Sequence, residues 1–242
     1  MMMLRSLVFQ VVFLGFSTLL ALYSLIPLMR GDRDQVFAIN ALWSRCINRL
    51  LRWIVGIDFR VEGREHIPDG PVLIAAKHQS LWDTTIIFHL FARPAVVMKQ
   101  ELQRIPIYGW LTRAQGMIAV DRDGGARALK QMLKDARVAV AEGRKLVIFP
   151  QGTRTLPGEV LPYQSGVAAL YRDLKLPVVP AAVNSGFFWP KYGLRRRPGT
   201  IVLRYLPAIP PGLDREEFMH ELETRIETAT AQLEAETRAK LS

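Results

Sequence analysis

A single cysteine, Cys46, excludes an intramolecular disulfide and any zinc site built on several thiolates, so nothing in these 242 residues demands an oxidising compartment. A reducing one is the simpler assignment. Histidine is also scarce: His66, His78, His89 and His220 show no H-E-x-x-H spacing, which argues against a metal hydrolase. No G-x-S-x-G elbow occurs, and Cys46 lies in a helical stretch close to the apolar amino terminus, so no side chain stands out as a covalent nucleophile. Repeats, low-complexity tracts and long linkers are missing as well. Acidic residues number 22 against 32 Lys and Arg, and the formal charge of +10 directs the chain toward anions: nucleic acid, an acidic lipid surface or a phosphorylated substrate. Apolar residues, at 50%, are what the chain has in quantity, enough for the core of one catalytic domain plus an accessory segment.

The apolar residues are unevenly placed. Residues 6–29, SLVFQVVFLGFSTLLALYSLIPLM, carry no charge, and a helix needs only about 20 apolar residues to match a bilayer core. The run exceeds the roughly 7 to 15 residues of a signal-peptide h-region and no small-x-small cleavage site follows, so it reads as a retained membrane segment. Arg30 and Arg33 follow it whereas only Arg5 precedes it, a bias that puts the remaining chain on the cytoplasmic side. Residues 36–55 form a second helix with Arg45, Asn48, Arg49 and Arg52 on one face and Phe37, Leu42, Trp43, Cys46, Ile47, Leu50, Trp53 and Ile54 around the rest. Such a helix lies in the membrane interface or packs on a globular domain. Residues 1–55 are thus expected to be a membrane-associated helical pair, and residues 56–242 a separate domain.

From Gly56 onward, β-rich runs at 57–63, 72–76, 95–99, 117–120, 145–149, 177–183 and 200–206 alternate with helical stretches at 83–92, 125–142 and 163–174, and an amphipathic helix closes the chain. That alternation predicts an α/β fold with a mixed, largely parallel sheet flanked by helices. Ligands of open α/β sheets bind beyond the carboxyl ends of strands. KHQS, DRD and PQGTR all follow predicted strands there.

In KHQSLWD, residues 77–83, Ser80 and Asp83 have the spacing of a capping box before the apolar TTIIFHLF. One helical turn also brings the Asp83 carboxylate to Nδ1 of His78, fixing the tautomer and leaving Nε2 to take a proton from a hydroxyl. A first-turn aspartate serves both purposes. In FPQGTR, residues 149–154, Gly152 allows close backbone approach to a ligand and Arg154 offers a planar fork for phosphate; Arg122, at a neighbouring strand end, is a second candidate. A lone arginine in so basic a chain reads as solvated, but the shared strand-end position of these two favours a site.

These motifs carry a family resemblance. KHQSLWD resembles the His-x4-Asp motif of the glycerolipid acyltransferases, GMIAVDR (116–122) their second motif, FPQGTR their Phe-Pro-Glu-Gly-Thr-Arg motif, and LPVVPAAV (176–183) their apolar fourth block, all in family order. The resemblance implies an α/β sandwich with a helical membrane platform, His78 as general base, Asp83 as its orienting partner, and Arg122, Gly152, Thr153 and Arg154 on the phosphate of an acceptor. It implies no bound cofactor or metal but an acyl thioester co-substrate, on coenzyme A or acyl carrier protein. Three positions depart from the family: Gln151 stands in place of glutamate, Gln164 where lysine is common, and Lys77 where asparagine is frequent. Lys77 and Gln151 are grouped here with the substrate-binding residues, Lys77 as a source of positive potential at the reaction centre.

The expected activity is acyl transfer to the free hydroxyl of 1-acyl-sn-glycerol 3-phosphate, yielding phosphatidic acid for phospholipid synthesis. Another lysolipid acceptor, for example one without phosphate, is the alternative to which the two glutamines lend weight; a non-catalytic membrane lipid-binding protein is a third, disfavoured by the intact His78 and Asp83. Lastly, SGFFWPKYGLRRRPG (185–199) sets Phe187, Phe188 and Trp189 beside Lys191 and Arg195 to Arg197, an arrangement suited to an anionic membrane surface. Single-stranded nucleic acid is the competing partner for such a patch. No nucleic-acid motif accompanies it, so no nucleic-acid partner is expected; a loop with buried aromatics is the plainer reading.

Overall fold

The computed structural model describes residues 1–241. It opens with α1 (Met2–Tyr23) and the short α2 (Leu25–Met29), followed by α3 (Arg33–Leu50), whose first turn is capped by the Asp32 carboxylate accepting from Gln35 N at 2.9 Å. The helix widens over Leu51–Val55 and stops at Gly56, whose φ of +83° is the left-handed conformation in which a side chain is strained. Beyond it come β1 (Ile57–Glu62), β2 (Leu73–Ala76), α4 (Trp82–Leu90), β3 (Ala95–Lys99), α5 (Tyr108–Ala114), β4 (Ile118–Val120), α6 (Gly125–Ala141), β5 (Leu146–Ile148), α7 (Gly166–Leu174), β6 (Val178–Val183), β7 (Gly199–Tyr205) and α8 (Arg215–Leu241).

Seven strands form one sheet in the order β1-β7-β6-β2-β5-β3-β4, with every neighbouring pair parallel except the antiparallel β6 and β7. The mixed, largely parallel α/β sheet is therefore present as expected. Each β-rich run is a strand, because runs such as Val178–Val183, buried at every position, have no polar side to turn to water. Not foreseen was α5, too short for a helical period to be read and set by Gly109, where a Cβ would come 2.0 Å from the carbonyl oxygen of Gln103.

Helices cover both faces. On β2, Ile74 and Ala76 join the core under α1, α3 and α4, while Leu73 and Ala75 face the core under α6, α7 and α8. This two-residue alternation continues past the strand and decides where the polar residues after it point.

The amino-terminal helices are built onto the domain. In α3, Ser44 Oγ donates to Thr85 O at 2.6 Å and Asn48 Oδ1 accepts from Trp82 Nε1 at 2.8 Å, so of the two readings of this helix the packed one holds; Arg45, Arg49 and Arg52 remain exposed. The loop 185–199 corrects its membrane-anchor reading. Phe188 and Trp189 are buried, and Trp189 meets Phe9 and Phe13 of α1 edge-on at centroid distances of 5.5 and 5.7 Å. Arg196 is buried as well, its guanidinium 4.7 Å from the Phe9 ring and 4.5 Å from Trp189, and burial pulls its pKa down to about 10. Trp189 holds α1 rather than lipid, its ring and those of Phe9 and Phe13 burying one another's apolar surface.

Candidate active site

His78 follows β2 and, on the strand's alternation, turns to the α4 side. Its Nδ1 lies 2.8 Å from Asp83 Oδ2, and its ring stacks on Phe149, with centroids 4.2 Å apart and planes 24° apart. The carboxylate is held by more than histidine. Asp83 Oδ2 accepts from the backbone N–H groups of Gln79 at 2.7 Å and Ser80 at 2.8 Å, and Oδ1 accepts from the hydroxyls of Ser185 at 2.5 Å and Ser80 at 3.3 Å. A carboxylate oxygen only accepts here, so we assign the imidazole proton to Nδ1, which leaves Nε2 as the basic nitrogen. The Asp83 side chain is 5% exposed and that of His78 14%, placing the pair at the rim of the interior.

The capping box is not formed as expected: Leu81, not Ser80, is the N-cap of α4, and no side-chain cap hydrogen bond is made there. Asp83 accepts from Ser80 N as that motif requires, but Ser80 Oγ accepts from Trp82 N at 3.1 Å rather than from the N–H of Asp83. Asp83 thus both ties the turn before α4 and holds the imidazole.

The loop after β5 brings the second motif to the first. Thr155 donates both its N–H, at 2.7 Å, and its hydroxyl, at 3.1 Å, to the carbonyl oxygen of His78. Gly152, with φ +70°, leaves room for the Arg122 guanidinium, since a Cβ there would lie 2.7 Å from Arg122 Nη2. Arg122 Nη2 donates to Gly152 O, reaching from the end of β4 across the end of β3. Arg154 is half-buried and makes no hydrogen bond or ion pair among the described residues; nor does the Thr153 side chain. The structure therefore gathers His78, Asp83, Arg122, Gly152, Thr153 and Arg154 at one sheet edge. Beneath the dyad an apolar cavity runs between sheet and α4, lined among others by Ile74, Trp82, Ile86, Val147, Phe149 and Leu203.

This arrangement has relatives. The chain matches the model of the Acyltransferase family over residues 58–184. It is 36% identical to a 1-acyl-sn-glycerol-3-phosphate acyltransferase of Pseudomonas aeruginosa over 194 residues, 80% of this chain and 76% of that protein. The chain belongs to the Acyltransferase family. A protein of the same description from Saccharomyces cerevisiae is 30% identical over 171 residues, covering 69% of this chain but 56% of its own length, and the one from Cocos nucifera is spanned over 60%. The crystal structure of the 1-acyl-sn-glycerophosphate (LPA) acyltransferase PlsC from Thermotoga maritima superposes with a TM-score of 0.78 at 25% identity, covering 99% of this chain and 98% of that one.

Two residues of this acyltransferase do not face the edge where the sequence grouped them. Lys77, odd-numbered on β2's alternation, points to the α8 side, where its buried ammonium donates to Glu227 Oε2 at 2.7 Å and to Glu159 O at 2.9 Å. Its charge is neutralised in place, so it does not supply potential at the reaction centre. Gln151 is buried too, its amide donating to Glu227 Oε1 at 3.2 Å. Tyr163 donates to the same oxygen at 2.8 Å; burial, reinforced by the Glu227 charge, raises its pKa well above the usual phenol value. Ser185, Thr155 and Glu227 escaped the sequence reading. Thr155 adjoins FPQGTR and Ser185 lies just beyond the fourth block, whereas Glu227 sits in a charged helix with no local signal.

The other histidines stay clear of this edge. His66 Nδ1 is 3.1 Å from Tyr205 O, His89 meets Phe59 edge-on, and His220 is exposed on α8. Burial foremost, and then Arg45, lowers the His89 pKa. No cluster of His, Cys, Asp and Glu suited to a metal occurs among the described residues.

Proposed function

We propose that this family member transfers an acyl chain from a thioester to the free hydroxyl of 1-acyl-sn-glycerol 3-phosphate, giving phosphatidic acid. The observation that carries this reading is the His78–Asp83 pair with Nε2 open beside the unpaired Arg154 and the Arg122–Gly152 contact. His78 Nε2 takes the hydroxyl proton as the acceptor oxygen attacks the thioester carbonyl; the carbon–sulfur bond then breaks and the imidazolium returns the proton to the departing thiolate. No acyl-enzyme forms. Asp83 steadies the imidazolium, and Arg154 and Arg122 hold the phosphate dianion. Coenzyme A and acyl carrier protein both meet the donor's chemical requirement.

The phosphate-free acceptor loses the support of Gln151, because that amide is committed to Glu227 and says nothing of the acceptor's charge. The membrane partner is read from α1 and α2, on which Leu4, Leu7, Val11, Leu14, Leu19 and Met29 are exposed. That surface rests in a bilayer, where Arg5, Arg195 and Arg197, all exposed, contribute about 1 kcal/mol each near anionic headgroups. The catalytic domain then lies on the cytoplasmic face.

A thioester-dependent acylation assay over lysolipids with and without a phosphate tests the reading. Preference for 1-acyl-sn-glycerol 3-phosphate, lost in His78→Ala, is expected. Equal turnover of phosphate-free acceptors refutes the substrate, and wild-type turnover by folded His78→Ala refutes the base.

A further inference from the structure

On the opposite side of the sheet from the dyad, α8 carries a row of polar side chains that face inward. Glu227 Oε2 accepts from Lys77 at 2.7 Å while its Oε1 accepts from Tyr163 at 2.8 Å and Gln151 at 3.2 Å. About two helical turns on, the buried Glu234 accepts from Gln79 Nε2 at 2.8 Å through Oε1 and from Arg238 at 3.1 Å through Oε2. The other end of the Gln79 amide accepts from Gly186 N at 3.1 Å. One turn further, Thr237 Oγ1 accepts from Asn184 Nδ2 at 2.8 Å. These α8 positions share one face.

Their partners are not scattered. Lys77 and Gln79 flank His78, and the alternation that sends His78 toward α4 sends both neighbours toward α8. Gln151 adjoins Gly152 in the loop that carries Arg154. Asn184 precedes Ser185, whose hydroxyl is on Asp83. Every segment that contributes to the site therefore ends on a side chain of one helix, except the Arg122 turn.

We infer that α8 is a strut that sets the geometry of the proposed reaction, with Glu234 the positioning residue for the dyad and Glu227 the positioning residue for the anion loop. Glu234 fixes Gln79, whose N–H and whose bond to Gly186 both bear on Asp83. Glu227 ties the segment of His78, through Lys77, to the loop of Arg154, through Gln151. Charge balance also explains the amide at 151: one buried ammonium matches one carboxylate, and a glutamate at 151 would set a second carboxylate against Glu227. The inference rests on the acyl-transfer reading above.

The experiment measures kcat and both KM values for wild type, Glu234→Ala, Glu227→Gln and the charge-neutral pair Lys77→Gln with Glu227→Gln, each normalised to the folded fraction from a thermal melt. Glu234→Ala removes the acceptor of the Gln79 amide and is expected to lower kcat roughly ten- to a hundredfold, the scale of a misplacement of about 1 Å, with both KM values near wild type. Glu227→Gln is expected to raise the acceptor KM several-fold and leave the donor KM unchanged, and the charge-neutral pair to recover most of that loss. The Nδ1–H proton resonance of His78, assigned by its disappearance in His78→Ala, is expected to shift in Glu234→Ala but not in Glu227→Gln. If the folded variants keep wild-type kcat, KM and resonance, or if all parameters fall only with melting temperature, the strut is wrong. Should wild type itself transfer no acyl group, the functional reading fails instead; an unmoved resonance in Glu234→Ala still refutes the strut on its own.

Discussion

The two faces of the sheet at the end of β2 differ in kind. On the α4 side, His78 and Asp83 stand over an apolar cavity beside cations with no carboxylate partner; on the α8 side, Lys77, Gln79 and Gln151 are consumed by two carboxylates. Residues adjacent in the chain thus enter opposite environments. One face keeps its hydrogen-bonding capacity open to a substrate, and the other closes most of its own, the buried Gln151 Oε1 and Thr230 Oγ1 being left without partners. The difference explains how a base can be held rigidly without being blocked: the atoms that anchor the segment are not the atoms that react.

The sharpest way to break this contrast is to remove the open face. His78→Ala should lower kcat by about 10² to 10⁴, the usual worth of general-base assistance, with the melting temperature within a few degrees of wild type. A large fall in stability would mean that the imidazole belongs to the structural face after all. Next in size is Trp189→Ala. Loss of this buried ring should cost about 3 to 5 kcal/mol of stability and loosen α1, visible as a lower unfolding midpoint in denaturant. If vesicle binding falls while the midpoint holds, Trp189 serves lipid and the packing account of that loop is wrong.

Arg154→Ala is a smaller change on the open face. A charge-assisted contact is worth about 1.5 to 3 kcal/mol, so the acceptor KM should rise roughly ten- to a hundredfold while the donor KM and the stability stay put. A shift confined to the donor would move the cation to the other substrate. Smallest of all, His220→Ala, on the exposed side of α8, should alter stability by no more than about 0.5 kcal/mol and leave turnover unchanged. An effect of Arg154's size there would extend the site beyond the sheet edge.

Much of this is legible in the sequence. The strands announced themselves because β-branched runs bounded by glycine, proline and charge admit few other conformations, and His78 with Asp83 was legible because a single turn of backbone brings them together. The roles expected for Lys77 and Gln151 failed for a definite reason: sequence proximity to the site does not say which way a side chain turns, and both turn toward α8. The aromatics of residues 187–189 misled similarly, since a tryptophan beside arginines looks the same whether the arginines meet headgroups or, like Arg196, stack on it under a helix.

What the amino-acid sequence determined by itself is therefore local: the α/β alternation, an apolar amino-terminal helix, and a histidine and aspartate one turn apart. Tertiary structure alone decided which charges are reactive and which are structural. Glu227 and Glu234 sit in a helix so rich in charge that each would ordinarily face water; Arg238 on the same helix reaches Glu234, but it is the approach of Lys77, Gln79, Gln151 and Tyr163 from distant segments that makes the burial of Glu234 and the partial burial of Glu227 tolerable. Whether a carboxylate is solvated or buried is a property of the partners that reach it, and those partners meet it only when the chain has closed.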